Sequence, residues 1–226
     1  MNSKNHKVLR VYRTKAQAKE SYDKISRFYD YFAGVFEKKY RSMALERLDI
    51  KRGETVLEIG FGTGHCLKRM AESVGEDGRV YGIDISSGML EVSKRRLEEA
   101  ELLDRVKLYC GDALKMSYED NEFDAVFMSF TLELFDTPEI LKVLDEIERV
   151  LKPNGRFGVI SMSKEDGDSI LLRVYEWTHK KFPKYADCRP IYIEQSIKNA
   201  GFEIEYKEKV KLFGLPGEIV IGVIPS

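Results

Sequence analysis

Four short stretches of this chain carry the residues best suited to chemistry, and each closes an apolar run. The first is VLEIGFGTGH, from Val56 to His65. Glu58 interrupts its apolar residues, and Gly60, Gly62 and Gly64 follow at alternate positions. Glycines in that pattern allow positive φ and let backbone N–H groups approach a ligand. A helix N-terminus just beyond them favours negative charge. The second group is Asp84, twenty residues after Gly64. An acid ending a strand there can accept both hydroxyls of a ribose. The third is Asp112 in CGDA, which can accept a hydrogen bond from an adenine amine while the backbone at Ala113 meets the ring edge. The fourth is Ser129.

The spacing narrows the ligand. A dinucleotide site needs G-x-G-x-x-G/A, whose third small residue lets helix and strand pack closely. Here His65 stands at that third position. A P-loop would need G-x-x-x-x-G-K-[ST], which is absent. A nucleoside without phosphates, carrying an amine or sulfonium to pair with carboxylates, fits better, and S-adenosylmethionine is such a molecule. Two alternatives stay open. A nicotinamide-dependent oxidoreductase shares the strand–glycine–helix start and the acid after strand two. A non-catalytic S-adenosylmethionine-binding protein would share the whole pattern.

The elements that must present these groups follow from periodicity. Runs at 54–60, 78–84, 105–111, 123–129 and 156–162 read as strands. Helical stretches at 65–73, 87–100 and from Thr137 onward alternate with them. Thr137–Pro138 reads as a capping hydroxyl with proline at the first helical position. Ile140, Leu144, Ile147 and Leu151 are spaced as one buried stripe, and KPNG (152–155) reads as a turn. Such alternation requires right-handed crossovers and a parallel sheet. Residues 202–213 and 218–225, joined at GLPG, read as a hairpin on the far edge. Residues 16–48 read as helices divided near Gly34, with Phe28, Phe32 and Phe36 as a packing face. The expected fold is a seven-stranded, mostly parallel α/β sheet with helices on both faces, a C-terminal antiparallel hairpin and an N-terminal helical cap.

Composition bounds the rest. The 226 residues are 43% hydrophobic and 33% charged, with 37 Lys+Arg against 38 Asp+Glu, so a folded core is expected and a dedicated nucleic-acid binder is not. Residues 1–20 hold six basic residues and one acid, which reads as a solvated arm. Three separated cysteines form neither a disulfide framework nor a metal pattern. No signal peptide and no run of about 20 apolar residues is seen, so a cytoplasmic protein is expected.

VLEIGFGTGH, YGIDIS, YCGDA, FDAVFMS and LKPNGRF, in this order, resemble the class I S-adenosylmethionine-dependent methyltransferases, a Rossmann-like family. SYDKISRFYDYF (21–32) resembles the segment before the core in the ubiquinone/menaquinone-biosynthesis C-methyltransferases and their relatives. The resemblance implies that Gly60, Gly62 and Gly64 border the methionyl part, with Glu58 orienting the turn or reaching the amino group. It implies Asp84 on the ribose, Ile85 and Met89 along the adenine face, and Asp112 with Ala113 at the adenine edge. Ser129 would lie near the methionine moiety, and Tyr22 and Tyr29 would close over the cofactor. Residues 1–50 would form the arm and cap, 51–226 the methyltransferase domain, and 163–200 an acceptor-shaping insertion. The reaction would be methyl transfer to a small apolar or aromatic acceptor, through carbon, nitrogen or oxygen, leaving S-adenosylhomocysteine. Glu133 is the candidate base if one is used; its plain reading is a solvent-facing loop carboxylate. The basic arm could touch an anionic membrane surface. Oligomeric state is not legible.

Overall fold

Side-chain alternation along the strands splits the core in two. In β1 (Thr55–Ile59), Val56 packs into one cluster and Leu57 and Ile59 into another. In β4 (Phe123–Ser129), Ala125 and Phe127 join the first cluster, and Phe123, Val126 and Met128 the second. A strand whose both faces are apolar must be covered on both sides. The computed structural model describes residues 8–11, 14–26, 34–165, 170–181, 188–212 and 214–225. In it the first face is covered by α2 (Gly34–Leu48), α3 (His65–Val74), α4 (Ser87–Glu99) and α6 (Ile170–Lys181). The second is covered by α5 (Thr137–Val150) and α7 (Ile193–Asn199).

The remaining strands are β2 (Arg79–Asp84), β3 (Val106–Cys110), β5 (Leu151–Met162), β6 (Glu203–Leu212) and β7 (Leu215–Val223). Their order is β3-β2-β1-β4-β5-β7-β6. The five from β3 to β5 are parallel, and β7 runs antiparallel to both β5 and β6. This is the expected seven-stranded sheet with its C-terminal hairpin.

Three local expectations change. The cap of α5 is Asp136, not Thr137: its carboxylate accepts from the Thr137 N–H at 2.9 Å, and Glu139 completes a capping box. A carboxylate acts on the helix dipole as well as on the orphan N–H groups. The stripe ends at Val150, because Leu151 is already extended and pairs with Phe123 in β5. Arg156 then pairs with Ala125, so KPNG is a bulge inside the strand, with Asn154 at φ 63.

Of the basic arm, residues 8–11 and 14–20 are described, and two of their basic side chains are paired rather than solvated. Arg10 grips both oxygens of Asp136, with its Nε 2.8 Å from Oδ1. Lys15, at the start of α1 (Lys15–Ile25), lies 2.5 Å from Asp112 and 3.5 Å from Glu139. Further along α1, Asp23 accepts from Ser86 Oγ at 2.6 Å and from the Gly88 N–H at 2.8 Å. Those bonds tie α1 to the N-terminus of α4. Ala44, Leu45 and Leu48 of α2 sit in the core. Among the described residues, no helix is long and apolar enough to cross a membrane, and no disulfide is present.

Candidate active site

β1 pairs with β2 on one side and with β4 on the other. The strand order reverses there, so a crevice opens beyond the C-terminal ends of β1 and β4. Gly60, Phe61, Gly62 and Thr63 line it, whereas Gly64 packs against Ser93 of α4. Gly60 has φ 72, and a methyl in place of its hydrogen would stand 2.3 Å from Thr131 Cγ2. Gly62 has φ 52, with nothing within 4 Å of where a side chain would start. One glycine admits a neighbour; the other leaves backbone open to the cleft.

Asp84 locks this turn in place. Its Oδ2 accepts from the Gly62 N–H at 2.9 Å and its Oδ1 from the Ser86 N–H at 2.9 Å. Burial pushes the Asp84 carboxyl above its ordinary range; the backbone N–H groups of Ser86, Gly62 and Ile85 pull the other way. A carboxylate has about four lone-pair sites. Capacity therefore remains for a hydroxyl donor.

Glu58 is 2% exposed and lines the cleft, and its Oε2 has no hydrogen-bond partner. Burial drives its carboxyl well above the usual range, with Arg41 opposing and Asp84 adding to the rise. Such a group calls for a cation or a donor beside it. Ser129 lines the same cleft, and its buried Oγ also lacks a partner. Its carbonyl accepts from Thr131 Oγ1 at 3.0 Å.

Ile85, Met89 and Ala113 line the wall beside Asp84. Asp112 lies there too, but one oxygen is bound by Lys15 and the other accepts from the Leu114 N–H at 3.0 Å. The sequence reading of a waiting acceptor thus meets a cation that α1 brings over the end of β3. Tyr22, half-buried on α1, faces the cleft from above. Tyr29 lies outside the described residues.

Glu133 differs from both of its expected readings. It is fully buried, and its Oε1 accepts from the Met162 N–H at 3.4 Å. It turns into the sheet at β5, while its neighbours Leu134 and Phe135 line the cleft. It is not solvent-facing, and it is absent from the lining of the cleft.

The structure adds groups that sequence spacing did not reveal. His179 and Cys188 line the cleft from the region after β5. His179 is 2% exposed. It stands two turns beyond buried Leu172 on α6, so the inward stripe of that helix was its only sequence signal. Arg41 and Lys15 reach the cleft from helices with no local motif. The cleft holds about 1470 Å³ of space, its open mouth included. Among the described residues no cluster could hold a metal ion.

Comparison with known proteins decides the class. A family profile described as "Methyltransferase domain" matches residues 56–155. A demethylmenaquinone methyltransferase of Symbiobacterium thermophilum is 33% identical over 206 residues, covering 84% of this chain and 81% of that protein. The chain belongs to the class I S-adenosylmethionine-dependent methyltransferases, in their menaquinone and ubiquinone group. A demethylmenaquinone methyltransferase of Bacillus mycoides is 39% identical over 139 residues, 60% of this chain and 57% of that protein. A solved S-adenosylmethionine-dependent methyltransferase of Aquifex aeolicus superposes with a TM-score of 0.61 at 28% identity, covering 81% of this chain and 89% of that one.

The cofactor of this methyltransferase is S-adenosylmethionine, and its reaction is methyl transfer. The comparisons lend nothing to the nicotinamide-dependent or the non-catalytic alternative. The residues present fit that cofactor. The orphaned Glu58 Oε2 suits a cation, and the bare backbone at Gly62 leaves room for one.

Proposed function

We propose that this methyltransferase alkylates a ring carbon of an apolar quinone acceptor in its reduced form. The observation that carries the reading is the mixed lining of the cleft. Carboxylates and open backbone at the strand ends share it with apolar Phe130, Leu134 and Phe135. The relatives named as demethylmenaquinone methyltransferases support an acceptor of that chemistry.

S-adenosylmethionine supplies an electrophilic methyl on a sulfonium. Within the site, Asp84 would accept from the ribose while fixing the Gly62 turn. Glu58, Gly60, Gly62, Gly64 and Ser129 would hold the cationic methionyl part. Ile85, Met89, Ala113 and Asp112 would hold the adenine, and Tyr22 would cover the cofactor. Holding two reactants in line can lower the barrier by about 7–11 kcal/mol in favourable cases.

A quinone ring is an electrophile; its two-electron reduced quinol is electron-rich at carbon. One C–C bond forms as the S–CH3 bond breaks, and the ring carbon then loses its proton. His179, buried in the cleft wall, receives that proton in place of Glu133. The residues from 163 to 200 shape the acceptor side through α6 and Cys188.

The test is transfer of label from methyl-labelled S-adenosylmethionine to demethylmenaquinol, with the oxidised quinone as a control. Label should appear as a carbon-bound methyl only with the quinol. A methyl ether, or no labelled product with intact S-adenosylhomocysteine binding, would overturn the acceptor reading.

A further inference from the structure

Helix α6 turns Leu172 and His179 inward, and His179 lines the cleft. At 100° per residue the opposite face carries Val174, Trp177 and Lys181, with Leu171 at one edge and Arg173 and Lys180 at the other. Leu171, Val174 and Trp177 are 48%, 54% and 58% exposed. They account for half of the six large hydrophobic residues most exposed among those described. Scattered exposed apolar residues need no explanation, but a cluster on one helix does.

Among the described residues, the charges carried on this face of the helix are of one sign. Arg173, Lys180 and Lys181 are exposed. The acid of the same helix, Glu176, is half-buried and bound to Lys164 at 2.7 Å, so it does not face outward. Next to Leu171 lies the β6–β7 turn, with Leu171 Cδ2 3.3 Å from where a Cβ on Gly214 would sit. Lys211, just before that turn, is exposed as well.

We infer that this face of α6 docks on an anionic phospholipid bilayer. Tryptophan and aliphatic side chains enter the headgroup boundary, and the flanking lysines and arginine meet the lipid charge, as in other interfacial amphipathic helices. The occupant is a bilayer rather than a protein groove because the exposed apolar residues share one helix face with basic side chains. The same helix walls the cleft through His179. An apolar acceptor dissolved in the bilayer therefore meets the cleft across the width of one helix. This rests on the acceptor reading only for its purpose, and the docking itself is tested separately.

Trp177 is the chain's only tryptophan, so its emission reports on this face alone. With vesicles of phosphatidylcholine containing one third phosphatidylglycerol, the emission should shift to the blue and the protein should co-sediment. Pure phosphatidylcholine and high salt should weaken both effects. The variant Leu171→Ser/Val174→Ser/Trp177→Ser should lose at least about tenfold in vesicle partitioning. Its affinity for S-adenosylhomocysteine should not change, which shows that it is folded. Absence of both blue shift and co-sedimentation in the wild type would overturn the inference. So would equal partitioning of the triple variant, which would move the contact to the basic arm. A blue shift that grows with protein concentration without vesicles, together with a dimer in sedimentation velocity, would assign the face to a second copy instead. Vesicle binding with no methylation of any quinol would sink the acceptor reading and leave the docking face standing.

Discussion

The Gly62 N–H donates to Asp84 Oδ2 at 2.9 Å, so the acid that ends β2 also holds the turn that ends β1. Two sequence signals twenty-two residues apart are one structural unit. A ligand bound to Asp84 is thereby referred to the glycine turn through a single carboxylate.

Substitutions in that turn should rank by space. Gly62→Ala faces the open cleft, so it meets only the left-handed backbone penalty of about 1–2 kcal/mol. Gly60→Ala adds a collision with Thr131 and should cost about 2–5 kcal/mol. Urea denaturation measures both. Thr131→Ala should recover part of the Gly60→Ala loss and none of the Gly62→Ala loss. Equal losses at the two positions would contradict the packing described.

Glu58 makes stability depend on pH in a defined direction. Its native carboxyl titrates well above the unfolded value of about 4.3. Between those two values the native state holds a proton that the unfolded state has released. Stability therefore falls as pH rises through that window. Glu58→Gln should melt higher than the wild type at pH 8, with the gap closing toward pH 4. A cationic ligand beside Glu58 favours its charged form, so calorimetry in buffers of different ionisation heat should detect proton release on binding. Matching heats in all buffers would argue against a cation at Glu58.

The N-terminal strap should respond to acid. The Arg10 guanidinium holds the Asp136 carboxyl down at about 2, so this contact contributes above the ordinary aspartate range and is lost as pH falls toward 2. In Arg10→Ala, a carboxyl-carbon titration by NMR should find Asp136 back near about 3.9. Residues 8–11 should then be cut faster by a broad-specificity protease such as proteinase K. An unmoved Asp136 would mean that its backbone donors, not Arg10, set its charge.

If His179 takes the ring proton, His179→Gln should lower kcat by about 10²-fold or more, with KM for the acceptor and affinity for S-adenosylhomocysteine little changed. A variant that retains full kcat would remove His179 from the chemistry.

The sheet was legible because each strand's apolar alternation is complete within itself. The groups at its ends were legible because Gly60–Gly64, Asp84, Asp112 and Ser129 stand where strands stop. What was not legible depends on long-range approach. Lys15 reaches Asp112 across 97 positions of sequence, and Arg10 reaches Asp136 across 126. Nothing local marks either basic residue as different from a solvated arm. The burial of Glu133 was hidden for a similar reason: it follows a strand end like the others, but lies in a short 3-10 turn (Leu132–Leu134) that is buried. His179 gave only a helical stripe, with no motif around it.

The central claim is that this cleft binds the cofactor through Asp84 and the turn it holds. Titration calorimetry with S-adenosylhomocysteine tests it most directly, on the wild type and on Asp84→Ala. The account predicts one site per chain in the wild type. It predicts at least about tenfold weaker binding in Asp84→Ala, as expected when a charge-assisted hydrogen bond worth about 1.5–3 kcal/mol is removed. No binding by the wild type at high micromolar ligand, or equal affinity in the variant, would contradict it.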